Sequence, residues 1–263
     1  MRLATYNIWN ETKYIGKRMN QIVNEIISVD ADIIGLQEVT APMYDTLAKR
    51  LDYKYHTFSM YNGESEGLAF FSHLPLEKSF FLNARDEYSN SNALSVVFKT
   101  ENFTFLITNL HLPWDSILEK EKQIISIDKY IKSQKDEADF FIMLGDFNCT
   151  LTSSVHNYLL GEQSLLGQES KPYWFDLGSA YAAINRLPNR PTLDFQNNPR
   201  WTNNTIEVPF VCDRILMMNS YSRPYDADIK NIEIFGTRVS LETGLAASDH
   251  YGVLADVAFR VKN

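Results

Sequence analysis

The sequence predicts an α/β fold, and three observations carry that expectation. Residues 3–8 alternate apolar and polar, Met19, Ile22, Val23, Ile26 and Ile27 recur at helical spacing, and Ile33-Ile34-Gly35-Leu36 is a short apolar run. Strand, helix, strand in that order is the pattern of a crossover connection. Residues 140–144 form an apolar run that stops at Gly145, as a buried strand does at a turn. Strand–helix units also stand on both sides of about Trp114, which predicts two similar halves facing each other.

The remaining elements follow in order. The first helix carries Lys17, Arg18, Asn20, Gln21 and Asn24 between its apolar positions, and Asp30-Ala31-Asp32 ends it. Residues 42–51 predict a second helix with Tyr44, Leu47 and Leu51 on one face. A strand over 53–60, a turn over 62–67 and a buried strand over 67–72, preceded by Glu66, come next, and Pro75 closes this unit. Residues 93–100 and 103–112 read as a hairpin around Thr100-Glu101-Asn102. Ile117, Ile124, Ile127 and Ile131 share one face of a helix over 117–133, with Glu119, Lys120, Glu121 and Lys122 on the others. From 151 to 209 the pattern loosens, with short helices expected over 156–160 and 175–184. Strands over 208–218, 230–235 and 253–261 complete the chain. With no low-complexity linker and no short repeat, residues 1–263 are expected to form one domain.

Composition narrows the function classes. Apolar residues make up 44% and charged residues 22% of 263, an ordinary globular balance with material for a large core. No apolar run approaches the roughly 20 residues of a membrane helix, so no stable membrane insertion is expected. Met1-Arg2-Leu3-Ala4-Thr5-Tyr6 already reads as strand, not as a secretory signal. Cys149 and Cys212 are too few for a disulfide framework. A cytoplasmic protein is the expectation, with both thiols read as small buried hydrophobes. A net charge of −8 disfavours a large nucleic-acid footprint, yet leaves room for a nuclease whose bound cation reshapes the local field.

The chemistry sits at element ends. Side chains alternate along an extended segment, so Asp146 and Asn148 should face one side and Phe147 the core. The same survey finds Asn7, Glu38, Glu66, His111, Asp213 and Asp249 with His250 at the ends of other elements. If these ends converge, the donor set is rich in oxygen and suits Mg²⁺ or Mn²⁺. There is no cysteine cluster, no HExxH helix and no Gly-rich phosphate loop. Carboxylates beside histidine and amide donors suit phosphoryl chemistry, where positive groups neutralise phosphate oxygens and a carboxylate orients water.

Seven stretches carry a family likeness: Tyr6-Asn7-Ile8, Leu36-Gln37-Glu38-Val39, Glu66-Gly67-Leu68-Ala69, Asn109-Leu110-His111-Leu112, Gly145-Asp146-Phe147-Asn148, Cys212-Asp213-Arg214-Ile215 and Ser248-Asp249-His250-Tyr251. In this order they resemble the motifs of the endonuclease/exonuclease/phosphatase superfamily. The resemblance implies a four-layered α/β sandwich, two central mixed β-sheets flanked by helices, as in deoxyribonuclease I. It implies Glu38 as principal metal ligand with Asn7 and Asp249 close by, Mg²⁺ (or Mn²⁺) as cofactor, and Asp146 and Asn148 orienting water and phosphate. It further implies His250 against the scissile phosphate with Asp213 behind it, and His111 as a second phosphate-facing histidine. Glu66 is the expected partner of His111, with Glu64 as the alternative. His111 stands where the exonuclease III-like branch usually has tyrosine, which makes an abasic-site nuclease the less favoured branch. The implied activity is metal-assisted hydrolysis of a phosphate ester, of phosphodiesterase or nuclease type, by a monomer acting on an ester substrate that includes nucleic acid among its candidates. Sphingomyelinase-like or small-molecule phosphatase activity, and a non-catalytic binding role, remain alternatives. Trp9, Trp114, Trp174 and Trp201 are candidates for stacking substrate at the rim.

Overall fold

The computed structural model describes residues 1–13, 15–82, 91–201, 204, 206–219 and 223–262. The elements run β1 (Arg2–Asn7), α1 (Ile15–Val29), β2 (Ile33–Thr40), α2 (Ala41–Arg50), β3 (Tyr55–Met60), β4 (Glu66–Ser72), β5 (Leu76–Phe81), β6 (Ala93–Lys99), β7 (Thr104–His111), α3 (Ile117–Ser133), β8 (Phe140–Asp146), α4 (Ser154–Leu159), β9 (Trp174–Asp176), α5 (Leu177–Asn185), β10 (Asp213–Met218), β11 (Tyr225–Phe235) and β12 (Gly252–Val261). They form two six-stranded mixed sheets, ordered β11-β12-β1-β2-β4-β3 and β5-β6-β7-β8-β10-β9. Each sheet contains one parallel pair joined by a crossover helix: β1 and β2 through α1, and β7 and β8 through α3. The two halves anticipated around Trp114 are these two units.

Three apolar clusters account for four layers. Met19, Ile22, Val23 and Ile26 of α1 and Leu47 of α2 pack on the outer face of the first sheet. Ile124, Ile127 and Ile131 of α3 and Tyr158 of α4 pack on the outer face of the second. Leu3, Ile33 and Phe70 of the first sheet meet Phe105, Ile107, Phe140 and Ile142 of the second in the middle. There Phe140 stacks on Phe105 at 5.4 Å and meets Phe259 edge-on at 4.6 Å. Such ring pairs add about 0.5–1.5 kcal/mol each to burial. Two buried amides staple the sheets together. Asn109 Nδ2 donates to Leu36 O at 3.0 Å and Ala69 O at 3.1 Å, and Gln37 Nε2 donates to Asn109 Oδ1 at 2.6 Å.

The four-layered sandwich matches the predicted fold class, with local differences. Ile27 and Ile117 are exposed, and Val29 and Ile125 take the buried positions. Pro75 does not close its unit: β5 follows at once, pairing with β6 at a sheet edge where a preceding proline costs no ladder hydrogen bond. β9 is too short to show a period. The strand expected from 208 starts at Asp213, because 208–212 run as a loop in which Leu193 and Phe210 bridge. No helix of the described residues is long and apolar enough to cross a membrane.

Candidate active site

The carboxyl end of β8 is built by Gly145. Its φ of 141° lies outside the range comfortable for other residues, and a Cβ there would meet Leu110 O at 2.0 Å. β8 therefore closes tightly on β7 and delivers Asp146 beside His111, its register partner. Phe147 is fully buried in the outer core, while Asp146 and Asn148 both line a pocket of about 470 Å³. Asn148 N donates to Asp146 Oδ1 at 2.8 Å, and Asn148 Nδ2 donates to Leu112 O at 2.9 Å. Lys120 of α3, placed by its spacing on a solvated face, is instead buried with Nζ donating to Asn148 O at 2.6 Å.

From the first sheet comes Glu38. A register shift in the β2–β4 ladder between Leu36 and Val39 lets β2 continue to Thr40 and turns Glu38 out of the pleat. Glu38 sits at φ 54°, Trp9 at 55° and Asn148 at 48°, three non-glycine residues in the left-handed region around one pocket. Strain of this kind gathers where a site fixes geometry. Asn7, at the end of β1, joins the two sheets' carboxylates. Its Nδ2 donates to Glu38 Oε1 at 2.9 Å and to Asp146 Oδ2 at 3.0 Å, while Oδ1 accepts from Trp9 N at 3.0 Å. The amide thus faces the carboxylates with its hydrogens, and an oxygen-ligand role for Asn7 requires it to turn.

The loop before β12 brings Asp249 and His250. Ser248 Oγ donates to Asn7 O at 2.7 Å, tying this loop to β1. His250 Nδ1 lies 3.0 Å from Asp213 Oδ2 at the start of β10, so the carboxylate orients the ring. His250 Nε2 and His111 Nε2 lie 3.8 Å and 3.7 Å from the same atom, Asp146 Oδ2. The partner of His111 is the hydroxyl of Tyr61, 3.1 Å from Nδ1. Glu66 lines the same pocket but accepts from Asn10 Nδ2.

Electrostatics separate these groups. Burial presses the His250 imidazole down, but Asp213, Asp146 and Asp249 outweigh it and hold the ring well above the usual histidine range. Burial pushes Asp146 up, but His250, His111 and the Asn7 and Asn148 hydrogen bonds hold it below its ordinary value. Asp249 is pushed up to about 6, chiefly by burial, with His250 opposing and Glu38 adding to the rise. Glu66 is raised by burial and by Glu38. The Tyr61 phenol is held well above its usual range by burial and the neighbouring carboxylates, so it stays neutral.

Glu38, Glu66, Asp146, Asp249 and Glu207 line this one pocket, and no Lys or Arg is among its described lining residues. Such crowded carboxylates fit a hard divalent cation, whose charge relieves their mutual repulsion. Asp146, Cys212, Asp213 and His250 also bring ligand atoms within 4.8 Å of one another, a candidate metal cluster by spacing. There the imidazole and one Asp213 oxygen already bond each other, and burial keeps the Cys212 thiol protonated. The oxygen-rich group around Glu38 therefore fits better.

A family model for the endonuclease/exonuclease/phosphatase family matches residues 4–250. The chain belongs to that family. Solved structures of like fold include D. rerio TDP2 complexed with single-strand DNA product, 17% identical, covering 98% of each chain with a TM-score of 0.76. TDP2 from C. elegans is 17% identical over 99% of this chain and 74% of its own, with a TM-score of 0.75. An endonuclease/exonuclease/phosphatase from Bacteroides vulgatus is 18% identical over 98% of each chain, with a TM-score of 0.72. These likenesses show the shared deoxyribonuclease I-like fold. No curated protein sequence matches the chain.

Several residues that build this candidate site carried no sequence signal. Tyr61 stood between an expected strand and an expected turn. Arg18, read as a solvated helix residue, is buried, with its guanidinium donating to Ile8 O at 2.6 Å, Trp9 O at 2.7 Å, Glu11 O at 2.5 Å and Ala247 O at 3.3 Å. It clamps the loop after β1 to the loop before β12. Asn198 Nδ2 donates to Ser248 O and Asp249 O, each at 3.0 Å, and Trp201 Nε1 to Asp249 O at 3.0 Å. Trp9, Trp114 and Trp201 line the pocket, but Trp174 is buried in the core with Nε1 donating to Asp128 Oδ1.

Proposed function

We propose that the chain, acting as one domain, is a Mg²⁺-dependent phosphoesterase of phosphodiesterase or nuclease type. The observation that carries this reading is Asp146 Oδ2, a buried carboxylate oxygen within 3.8 Å of two imidazole Nε2 atoms from opposite sheets. The Asp146 carboxylate stays ionised and accepts a hydrogen bond from an attacking water, fixing its lone pair toward phosphorus. His250, held charged by Asp213, and His111 direct Nε2–H groups at the phosphoryl oxygens as negative charge grows there. Asn148 steadies the turn that aims Asp146. Glu38, Asp249 and Asn7 are the residues that would hold Mg²⁺, which supplies further charge neutralisation at phosphate and leaving group. Water adds to phosphorus as Asp146 takes its proton, the ester P–O bond breaks, and the leaving oxygen takes up a proton to depart as the alcohol. Nothing in this sequence of events requires a covalent enzyme intermediate.

Trp9, Trp114, Phe195 and Trp201 at the mouth support a substrate with a stackable ring, such as a single-stranded nucleic-acid end, the ligand class named for the D. rerio structure. A second reading, a phospholipid headgroup, is favoured by Ile206 and Val208, 90% and 77% exposed on either side of the pocket residue Glu207. Two free, buried thiols fit a reducing, cytoplasmic setting. The test is turnover of bis(4-nitrophenyl) phosphate, a single-stranded oligonucleotide and a choline phospholipid by wild type, Asp146→Ala and His250→Ala. Loss in both variants on whichever substrate is cleaved is expected; unchanged turnover in either variant contradicts the reading.

A further inference from the structure

Arg18 and Arg200 do not line the pocket, yet both hold its walls from behind. Residues 246–250 lie outside helices and strands, and all of them are buried. Buried carbonyls need donors, and here side chains of distant elements supply them. Ala247 O accepts from Arg18 Nη1 at 3.3 Å, and Ala246 O accepts from Arg200 Nε at 2.9 Å and Nη2 at 2.6 Å. These two carbonyls lead directly into Ser248 and Asp249. Arg18 reaches the other proposed ligand as well. Its Nη2 holds the carbonyls of Trp9 and Glu11, on either side of Asn10, and Asn10 N donates to Glu38 Oε2 at 3.1 Å. Trp9 sits at φ 55°, a conformation that persists only when its surroundings hold it. Both guanidinium groups stand over the Trp9 ring, 5.7 Å and 5.4 Å from its centroid. One side chain of α1 therefore backs Glu38 through the loop after β1 and Asp249 through the loop before β12.

We propose that Arg18, seconded by Arg200, is a positioning residue for divalent-cation binding, setting the gap across which Glu38 and Asp249 face the ion. The inference rests on the metal-dependent reading above. Mg²⁺ demands closely set oxygen distances, so carboxylates carried on two separate loops bind it well only when the loops are fixed beforehand. Arginine suits this task. Its planar fork of five N–H donors reaches several carbonyls at once, whereas lysine offers a single nitrogen. The hydrogen bonds of Arg18 go to backbone carbonyls, so it fixes the loops without pairing with the carboxylates it serves. Packing alone gives no reason for a guanidinium that is only 1% exposed, because a buried charge is costly.

The test reads cation binding without turnover. Mn²⁺ is titrated into the full chain, and the free ion is followed by electron paramagnetic resonance at a temperature where each variant is folded. Arg18→Lys should weaken Mn²⁺ binding about 10- to 100-fold, the usual cost of losing a residue that orients a metal ligand. Arg200→Lys, which touches only the Asp249 side, should weaken it roughly 2- to 10-fold. Arg18→Lys combined with Asp249→Asn should lose less than the product of the two single losses, because part of the Arg18 effect passes through Asp249. In the metal-free protein, amide exchange over residues 247–250 should be faster in Arg18→Lys than in wild type. A role in stability alone leaves the Mn²⁺ affinity of folded protein unchanged. Wild-type affinity in Arg18→Lys, or in Arg200→Lys if the first variant fails to fold, would overturn the inference, as would fully multiplicative losses or unchanged amide exchange. Absence of Mn²⁺ binding in wild type would overturn the metal-dependent reading itself, and this inference with it.

Discussion

The two histidine flanks of the pocket reach the same oxygen of Asp146 at nearly the same distance, yet they are backed differently. Behind His250 stands a buried carboxylate, Asp213. Behind His111 stands a neutral phenol, Tyr61. A carboxylate fixes the tautomer of an imidazole and favours its charged form; a phenol fixes orientation alone. The pocket therefore carries one side built to hold positive charge and one built to hold geometry. His156 supplies the contrast to both. It is buried on α4 with no carboxylate partner among the described residues and an unpartnered Nδ1, and burial, helped by Arg214, pushes it down to about 3. Carboxylates outweigh burial at His250, whereas at His156, with none beside it, burial prevails.

Four substitutions separate the roles of these histidines. His250→Ala should give the largest loss, about 10²–10³ in kcat, the usual cost of deleting a preorganised donor to developing charge. A smaller loss than in His111→Ala would reverse the proposed division. Asp213→Asn keeps the shape and removes the charge behind His250, and about 10–100-fold in kcat should go, with KM little changed. Tyr61→Phe removes one neutral hydrogen bond worth about 0.5–1.5 kcal/mol, so activity should fall roughly 2- to 10-fold. Equal losses in Asp213→Asn and Tyr61→Phe would show that the two flanks do the same work. His156→Phe should leave activity unchanged and alter only acid stability. Its folded-state value, about 3, lies below the ordinary 6.5, so the unfolded chain binds the extra proton first. That contribution is intact above about pH 6.5 and is lost progressively as pH falls toward 3. Thermal denaturation of wild type and His156→Phe across that window should show a shallower acid slope in the variant.

Much of the fold was readable because its core strands are apolar runs that end abruptly, and its crossover helices have a clear apolar period. The convergence of the candidate residues was readable for the same reason: Asn7, Glu38, His111 and Asp146 interrupt such runs where the strands leave the sheets. What escaped depends on partners far away in sequence. Arg18 looked solvated because its spacing is polar, and only the meeting of residues 8–11 with Ala247 makes it a clamp. Tyr61 reaches a residue 50 positions on. The loose region from 151 to 209 is scaffolding for the pocket: Thr192 Oγ1 accepts from Asp213 N at 3.0 Å, and Asn198 holds the Asp249 loop. Loops rich in Asn, Pro and Gly have no period to read, and their order comes from the side chains they cap.

The central claim is a phosphoester hydrolysis that needs a hard cation held by Glu38 and its neighbours. Its most direct test is the hydrolysis rate of bis(4-nitrophenyl) phosphate with Mg²⁺, after chelation, and after Mg²⁺ is restored. The account predicts turnover that chelator abolishes and Mg²⁺ returns. Turnover indifferent to chelator would contradict it, as would Mg²⁺ binding with no hydrolysis of this diester, of single-stranded nucleic acid or of phospholipid.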